Sequence, residues 1–121
     1  RRREIAVIYN RAFRDLGYIR IPYEPKNKRS AYHLYVIRID FKRLGKSRSK
    51  VIAELNENGI GTQVHYIPVH LQPYYRKKIG YKTKDYPEAE GYYSEALSLP
   101  IYPKITDGDA EKVINAVKGS L

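Results

Sequence analysis

The chain contains no cysteine, methionine or tryptophan. Without cysteine there is no disulfide framework, and a zinc site would have to be built without thiolates. His65 and His70 stand five residues apart, which imitates the histidine half of a zinc finger, but nothing supplies the other half. The lack of cysteine is compatible with a cytoplasmic setting. No long apolar run is present and the mean hydropathy is -0.63, which excludes a helical membrane span and leads us to expect a soluble protein. No basic stretch followed by an apolar one has the form of a signal peptide. Asp107-Gly108-Asp109 lacks the further ligands and distal glutamate of a calcium loop. Gly61-Thr62 belongs to no glycine-rich phosphate signature, and no local Ser-His-Asp arrangement can be drawn.

What is present in quantity is basic charge and tyrosine. The 121 residues suit one domain with a real core, 42% of them being hydrophobic, and include 13 tyrosines. Lys+Arg 23 against Asp+Glu 13 leaves a net charge of +10, which attracts phosphorylated ligands, nucleic acid or an anionic surface. The charge is dispersed over Arg1 to Arg3, Lys26 to Arg29, Lys42 to Lys50 and Arg76 to Lys84, mostly at expected loops and helix ends. A stand-alone basic nucleic-acid-binding domain is therefore the alternative reading, although the glycine-aromatic motifs of RNA-binding sheets are missing.

Ile5, Ile8, Ala12 and Leu16 recur at helical spacing, so Arg1 to Leu16 is expected to be an amphipathic helix stopped by Gly17. It starts without a methionine or a capping residue, as expected of a fragment cut within a longer helix. Pro22 and Pro25 make Ile19 to Pro25 an extended connector or edge strand. Ala31 to Asp40, with His33 inside it, reads as a central strand rich in β-branched and aromatic residues. A basic turn from Phe41 to Lys46 leads to a helix capped by Ser47 or Ser49, carrying Val51, Ile52 and Leu55 and closed at Asn58-Gly59. Pro87 suits the first turn of a helix bearing Ala89, Tyr92, Tyr93 and Ala96. Leu97 to Pro103 is at most an edge strand. Thr106 with Asp109 opens a last helix with Ala110, Val113, Ile114 and Val117 on one face.

The chemistry concentrates in GIGTQVHYIPVHLQPYY, Gly59 to Tyr75. Thr62 to Ile67 reads as a strand with Gln63, His65 and Ile67 on one face, and Pro68 ends its pairing. Together with the preceding strand and helix it would form a βαβ-like unit, for which parallel pairing is permitted but not required. His65 is expected to pack into the sheet, whereas His70, Tyr74 and Tyr75 fall on a loop or short turn, and Arg76 to Asp85 on a polar loop broken by Gly80. The residues alone thus describe a basic α+β domain with an edge lined by histidine and tyrosine.

That segment, followed by Tyr86-Pro87-Glu88-Ala89-Glu90, LSLPIYP and ITDGDAEKVINAV in this order, resembles the C-terminal end of the DegT/DnrJ/EryC/StrS sugar-nucleotide aminotransferases, pyridoxal phosphate (PLP) enzymes of fold type I. The wording HYIPVHLQPYY looks most like the branch that aminates UDP-4-keto-6-deoxy amino sugars on the way to pseudaminic acid. The resemblance covers essentially the whole chain. It implies that residues 1–121 are the small C-terminal domain of such an enzyme, a short sheet packed against helices forming one wall of the substrate cleft. It further implies that PLP and its Schiff-base lysine belong mainly to a large domain outside this chain, so no lysine or other residue here is catalytic and the chain alone is inactive. The substrate-binding candidates are His70 first, then His65 and Tyr66, then Tyr74. A nucleotide sugar, an amino donor such as glutamate, a homodimer and a cytoplasmic location are implied with them.

Overall fold

The computed structural model describes all residues, 1–121. Its centre is β2 (Tyr35–Ile39), where Tyr35, Ile37 and Ile39 point to one face and are fully buried while Val36 and Arg38 face the other way. β1 (Ile19–Arg20) and β3 (Ala96–Leu99) flank it, both antiparallel, in the order β1-β2-β3. The register pairs Ile19 with Ile39 and Tyr35 with Leu99. β2 is central and β3 a short flanking strand, as read from the sequence. β2 is shorter than Ala31 to Asp40 because Tyr32 takes φ 45, outside the extended region, and this leaves His33 exposed ahead of the strand.

Helices α1 (Arg2–Phe13), α3 (Arg48–Glu57) and α6 (Asp107–Ser120) bury their apolar sides against the inner face of the sheet. The core joins Ile5, Tyr9 and Phe13 of α1 to Val51 and Leu55 of α3 and to Ala110, Val113 and Val117 of α6. In α1 the fully buried stripe is Ile5, Tyr9 and Phe13 rather than Ile5, Ile8, Ala12 and Leu16, the last three of which are only half-buried. The stripe is turned because the two large rings fill the space under β2: Tyr9 lies 5.0 Å from the Tyr35 ring and 5.9 Å from Phe13. Nor does Gly17 stop α1. The helix ends at Phe13, with Arg14 still right-handed, and successive bonds from Leu16 N–H to Phe13 O and from Ile19 N–H to Leu16 O turn the chain into β1.

Local signals set most other boundaries. Ser47 caps α3 by accepting from the Lys50 N–H, and Gly59 follows it at φ 73. Thr106 and Asp109 form a full capping box at α6. The basic stretch after β2 contains a single helical turn, α2 (Phe41–Leu44), because the Asp40 carboxylate accepts from the Arg43 N–H. Only the first part of the expected loop from Arg76 to Asp85 is helical: α4 (Pro73–Ile79) starts at a proline and runs to Gly80 at φ 85, beyond which the chain is non-helical as expected, so Tyr74 and Tyr75 lie on a helix. α5 (Pro87–Glu95) runs directly into β3 and lies over the outer face of the sheet, where Glu95 pairs with Arg38 and Arg20.

Residues 62 to 67 do not form a strand. Gln63 makes one antiparallel bridge to Ser98, and in that register Tyr66 and Ile67 would need partners at residues 95 and 94. Those two residues belong to α5, so a ladder could reach no further than His65, and along Leu97 and Ala96 of β3 the segment makes no second bridge. The βαβ unit is consequently absent and the sheet is wholly antiparallel. The architecture is α+β, six helices and a three-stranded antiparallel sheet. No helix is long and apolar enough to cross a membrane.

Candidate functional site

The segment between α3 and α4 leaves the core at Ile60 and is tied to the outer edge of β3 by the Gln63–Ser98 bridge, with Gln63 N to Ser98 O at 3.2 Å and Ser98 N to Gln63 O at 2.8 Å. Two residues on, His65 Nδ1 sits 2.8 Å from the Ser98 hydroxyl and its ring meets Tyr66 edge-on at 4.6 Å. His65 is half-buried, held by β3 through a side chain. Tyr66 projects outward and is 74% exposed.

Pro68 then begins a tight turn, Val69–Leu71, that drives His70 inward. His70 is only 5% exposed; its Nε2 lies 2.9 Å from Glu90 Oε1 and its ring packs 4.8 Å from that of Tyr86. Glu90 Oε1 also accepts from the Lys84 N–H at 2.7 Å. The bond with His70, followed by that N–H, holds the Glu90 carboxyl below the usual carboxylate range, so Glu90 is an ionised acceptor at neutral pH. A hollow of about 300 Å³ opens beside this group, lined by Pro68, Val69, His70, Tyr81, Tyr86 and Ala89. Tyr74 stands apart on α4, 60% exposed, its hydroxyl accepting from Lys78 Nζ at 2.8 Å.

Both histidines are therefore carried by one continuous piece, the α5–β3 unit, through Glu90 and Ser98. His70 lies on a short turn, as its place after Pro68 predicts, but it is buried rather than exposed there. Glu90 and Ser98, in the motifs around Pro87 and Leu97, are the partners that the sequence reading does not single out. Ser98 carried a signal, a hydroxyl between two leucines in an apolar stretch, whereas Glu90 is one of three glutamates in α5 and nothing local distinguishes it.

A larger hollow, about 910 Å³, lies between α3, α6 and residues 100 to 105, lined among others by Glu54, Ile60, Tyr102 and Lys112. It contains none of the predicted residues, and its charges are of mixed sign, so the histidine edge is the better candidate. The basic clusters do not form a continuous stripe. Arg1 is bound to Asp107 and to the Ile105 carbonyl, Arg38 and Arg20 to Glu95, and Lys46 to Glu54 and the Ser120 carbonyl. Arg48 stacks on Tyr93 at 4.7 Å and donates to the Tyr93 carbonyl. No lysine is enclosed: all but Lys46 are exposed, and Lys46 is engaged in its ion pair. The residues present thus do not by themselves fit PLP, which requires a shielded lysine amine for its Schiff base.

The sequence profile of the DegT/DnrJ/EryC1/StrS aminotransferase family matches residues 1–118. An uncharacterized protein of Methanocaldococcus jannaschii, MJ1066, is 51% identical over 118 residues, 98% of this chain and 31% of that protein. The spore coat polysaccharide biosynthesis protein SpsC of Bacillus subtilis is 47% identical over 119 residues, again 98% of this chain and 31% of the relative. Among solved structures, Helicobacter pylori PseC, an aminotransferase involved in the biosynthesis of pseudoaminic acid, superposes with a TM-score of 0.87 at 25% identity over 98% of this chain and 31% of its own. The chain therefore spans about 31% of the length of the curated relatives it matches.

Proposed function

Because the chain belongs to the DegT/DnrJ/EryC1/StrS aminotransferase family, we propose that it is the C-terminal small domain of a PLP-dependent enzyme that aminates a 4-keto-6-deoxy nucleotide sugar for surface polysaccharide or glycan biosynthesis. Members of this family are PLP-dependent aminotransferases. The carrying observation is the mounting of His65 and His70 on the one α5–β3 piece, with His70 lining an open hollow beside Tyr81 and Tyr86. Imidazole and phenol groups offer the directional hydrogen bonds and flat apolar faces that a sugar requires. In this reading His70, His65, Tyr66 and Tyr74 line one wall of the substrate cleft, with His70 nearest the substrate.

PLP, held with its lysine by the rest of the protein, supplies the electron sink for transamination. The work of the present chain is to bind and orient the sugar nucleotide and to exclude water from that side. Glutamate as amino donor, a homodimer and a cytoplasmic location complete the proposal. The names of SpsC and PseC support a polysaccharide or amino-sugar setting over other sugar aminotransferase roles.

The test is a transamination assay of the whole protein with PLP, glutamate and a UDP-4-keto-6-deoxy sugar, beside the isolated chain 1–121. Activity is expected from the first and none from the second. In the whole enzyme His70→Ala should lower kcat/KM for the keto-sugar by about tenfold or more, the loss of one good hydrogen bond. An unchanged kcat/KM removes His70 from the site.

A further inference from the structure

The geometry points to Glu90 as a positioning residue for His70, fixing the imidazole with its proton on Nε2 so that Nδ1 is the atom turned toward the sugar. This rests on the reading of His70 as a substrate-binding residue. A carboxylate in its ionised form can only accept, so the 2.9 Å bond to Glu90 Oε1 makes Nε2 the donor. Glu90 is itself located by the Lys84 N–H on the same oxygen and by its place in the first turns of α5 behind Pro87. The Tyr86 ring blocks one side of the imidazole.

Nδ1 makes no hydrogen bond within the chain. Yet the only buried side-chain polar atoms without a partner are Arg2 Nε and Thr62 Oγ1, so Nδ1 reaches the surface despite the 5% exposure of the residue as a whole. His70 also lines the 300 Å³ hollow with Tyr81 and Tyr86. In the neutral ring an unprotonated Nδ1 is an acceptor, matched to a sugar hydroxyl. Without Glu90 the ring is free to turn, and the acceptor loses its direction.

The experiment is a double-mutant cycle in the whole enzyme, following KM and kcat for the keto-sugar nucleotide. Glu90→Ala is expected to raise KM about tenfold with a much smaller change in kcat, the fold-change of one misdirected hydrogen bond. Glu90→Gln keeps an acceptor oxygen in place and should recover most of that loss. Glu90→Asp keeps the charge but withdraws it by one methylene; it should raise KM as Glu90→Ala does, and it supplies that reading where the alanine variant fails to fold. In a His70→Ala background, replacing Glu90 should add little, because its effect passes through the missing ring.

Equal KM increases in both backgrounds, or recovery by Asp and not by Gln, would overturn the assignment. A raised KM for His70→Ala with a normal one for Glu90→Ala would sink the positioning role and leave His70 in the cleft. A normal KM for His70→Ala would sink both.

Discussion

Ser98 holds His65 twice over: its hydroxyl lies 2.8 Å from His65 Nδ1, and its backbone carries the bridge to Gln63 that brings the histidine there. Ser98 is 5% exposed, in the middle of a strand whose other residues are all apolar. Its hydroxyl is therefore a buried polar group that the His65 ring satisfies.

Ser98→Ala should leave the bridge intact, since that uses backbone atoms only, and should cost about 1 kcal/mol for the lost side-chain bond. Urea unfolding of the chain checks the cost. In the whole enzyme the same change should weaken sugar-nucleotide binding, read as a higher KM. A fully unchanged stability would mean that the two side chains do not bond.

The rotated stripe of α1 gives a second prediction. Phe13→Ala removes a fully buried ring and should cost about 3–5 kcal/mol. Leu16→Ala, at a half-buried position beyond the helix end, should cost well under half of that. Chemical denaturation of the pair distinguishes the observed stripe from the one with Leu16 inside, for which the two losses would be comparable.

Thr106 closes the capping box of α6, with Asp109 N donating to its hydroxyl at 3.1 Å and its own N–H donating to Asp109 at 3.2 Å. Thr106→Ala should destabilise the domain by about 1 kcal/mol, visible as a lower Tm, whereas Thr106→Ser should retain most of the cap.

A fourth expectation concerns pH. The carboxyl of Glu90 is lowered from its ordinary value of 4.5, chiefly by the His70 bond. A depressed carboxyl stabilises the fold above the unfolded value and loses that contribution as pH falls through the folded one. The stability of the chain should therefore drop as pH is lowered below about 4.5, and Glu90→Gln should flatten that part of the curve. At the alkaline end burial pushes the Tyr9 hydroxyl up to about 12. Its neutral form stabilises fully below the ordinary value of 10.0, and the gain is lost as pH rises toward about 12. Tyr9→Phe should blunt that alkaline loss. Thermal melts across pH read both effects.

Much of the fold was legible in local chemistry. Ser47, Gly59, Pro87 and the Thr106/Asp109 pair mark helix ends because a cap acts within three or four residues, and the apolar spacing of α6 needed no distant partner to be read. The central place of β2 followed from its run of β-branched and aromatic residues. The α+β class followed from the mixture of helical and strand patterns, and the family resemblance rests on motifs in linear order.

What the tertiary structure alone decided depends on partners distant in the chain. Gln63 to Ile67 alternates like a strand, but the partners of Tyr66 and Ile67 are wound into α5 and the stretch before them makes only the one bridge to β3, so a good pattern yielded no strand. The turning of α1 toward Tyr9 and Phe13 was set by the Tyr35 ring beneath it, which no periodicity within α1 records. The same holds at the candidate site. Sequence singled out His65 and His70 by type and neighbourhood, while Ser98 and Glu90, respectively 33 and 20 residues farther along, became their partners only when α5 and β3 folded back beside them. Caps and periodic faces are local and so are written in the sequence. Hydrogen bonds between residues far apart exist only after the chain has closed the loops that separate them.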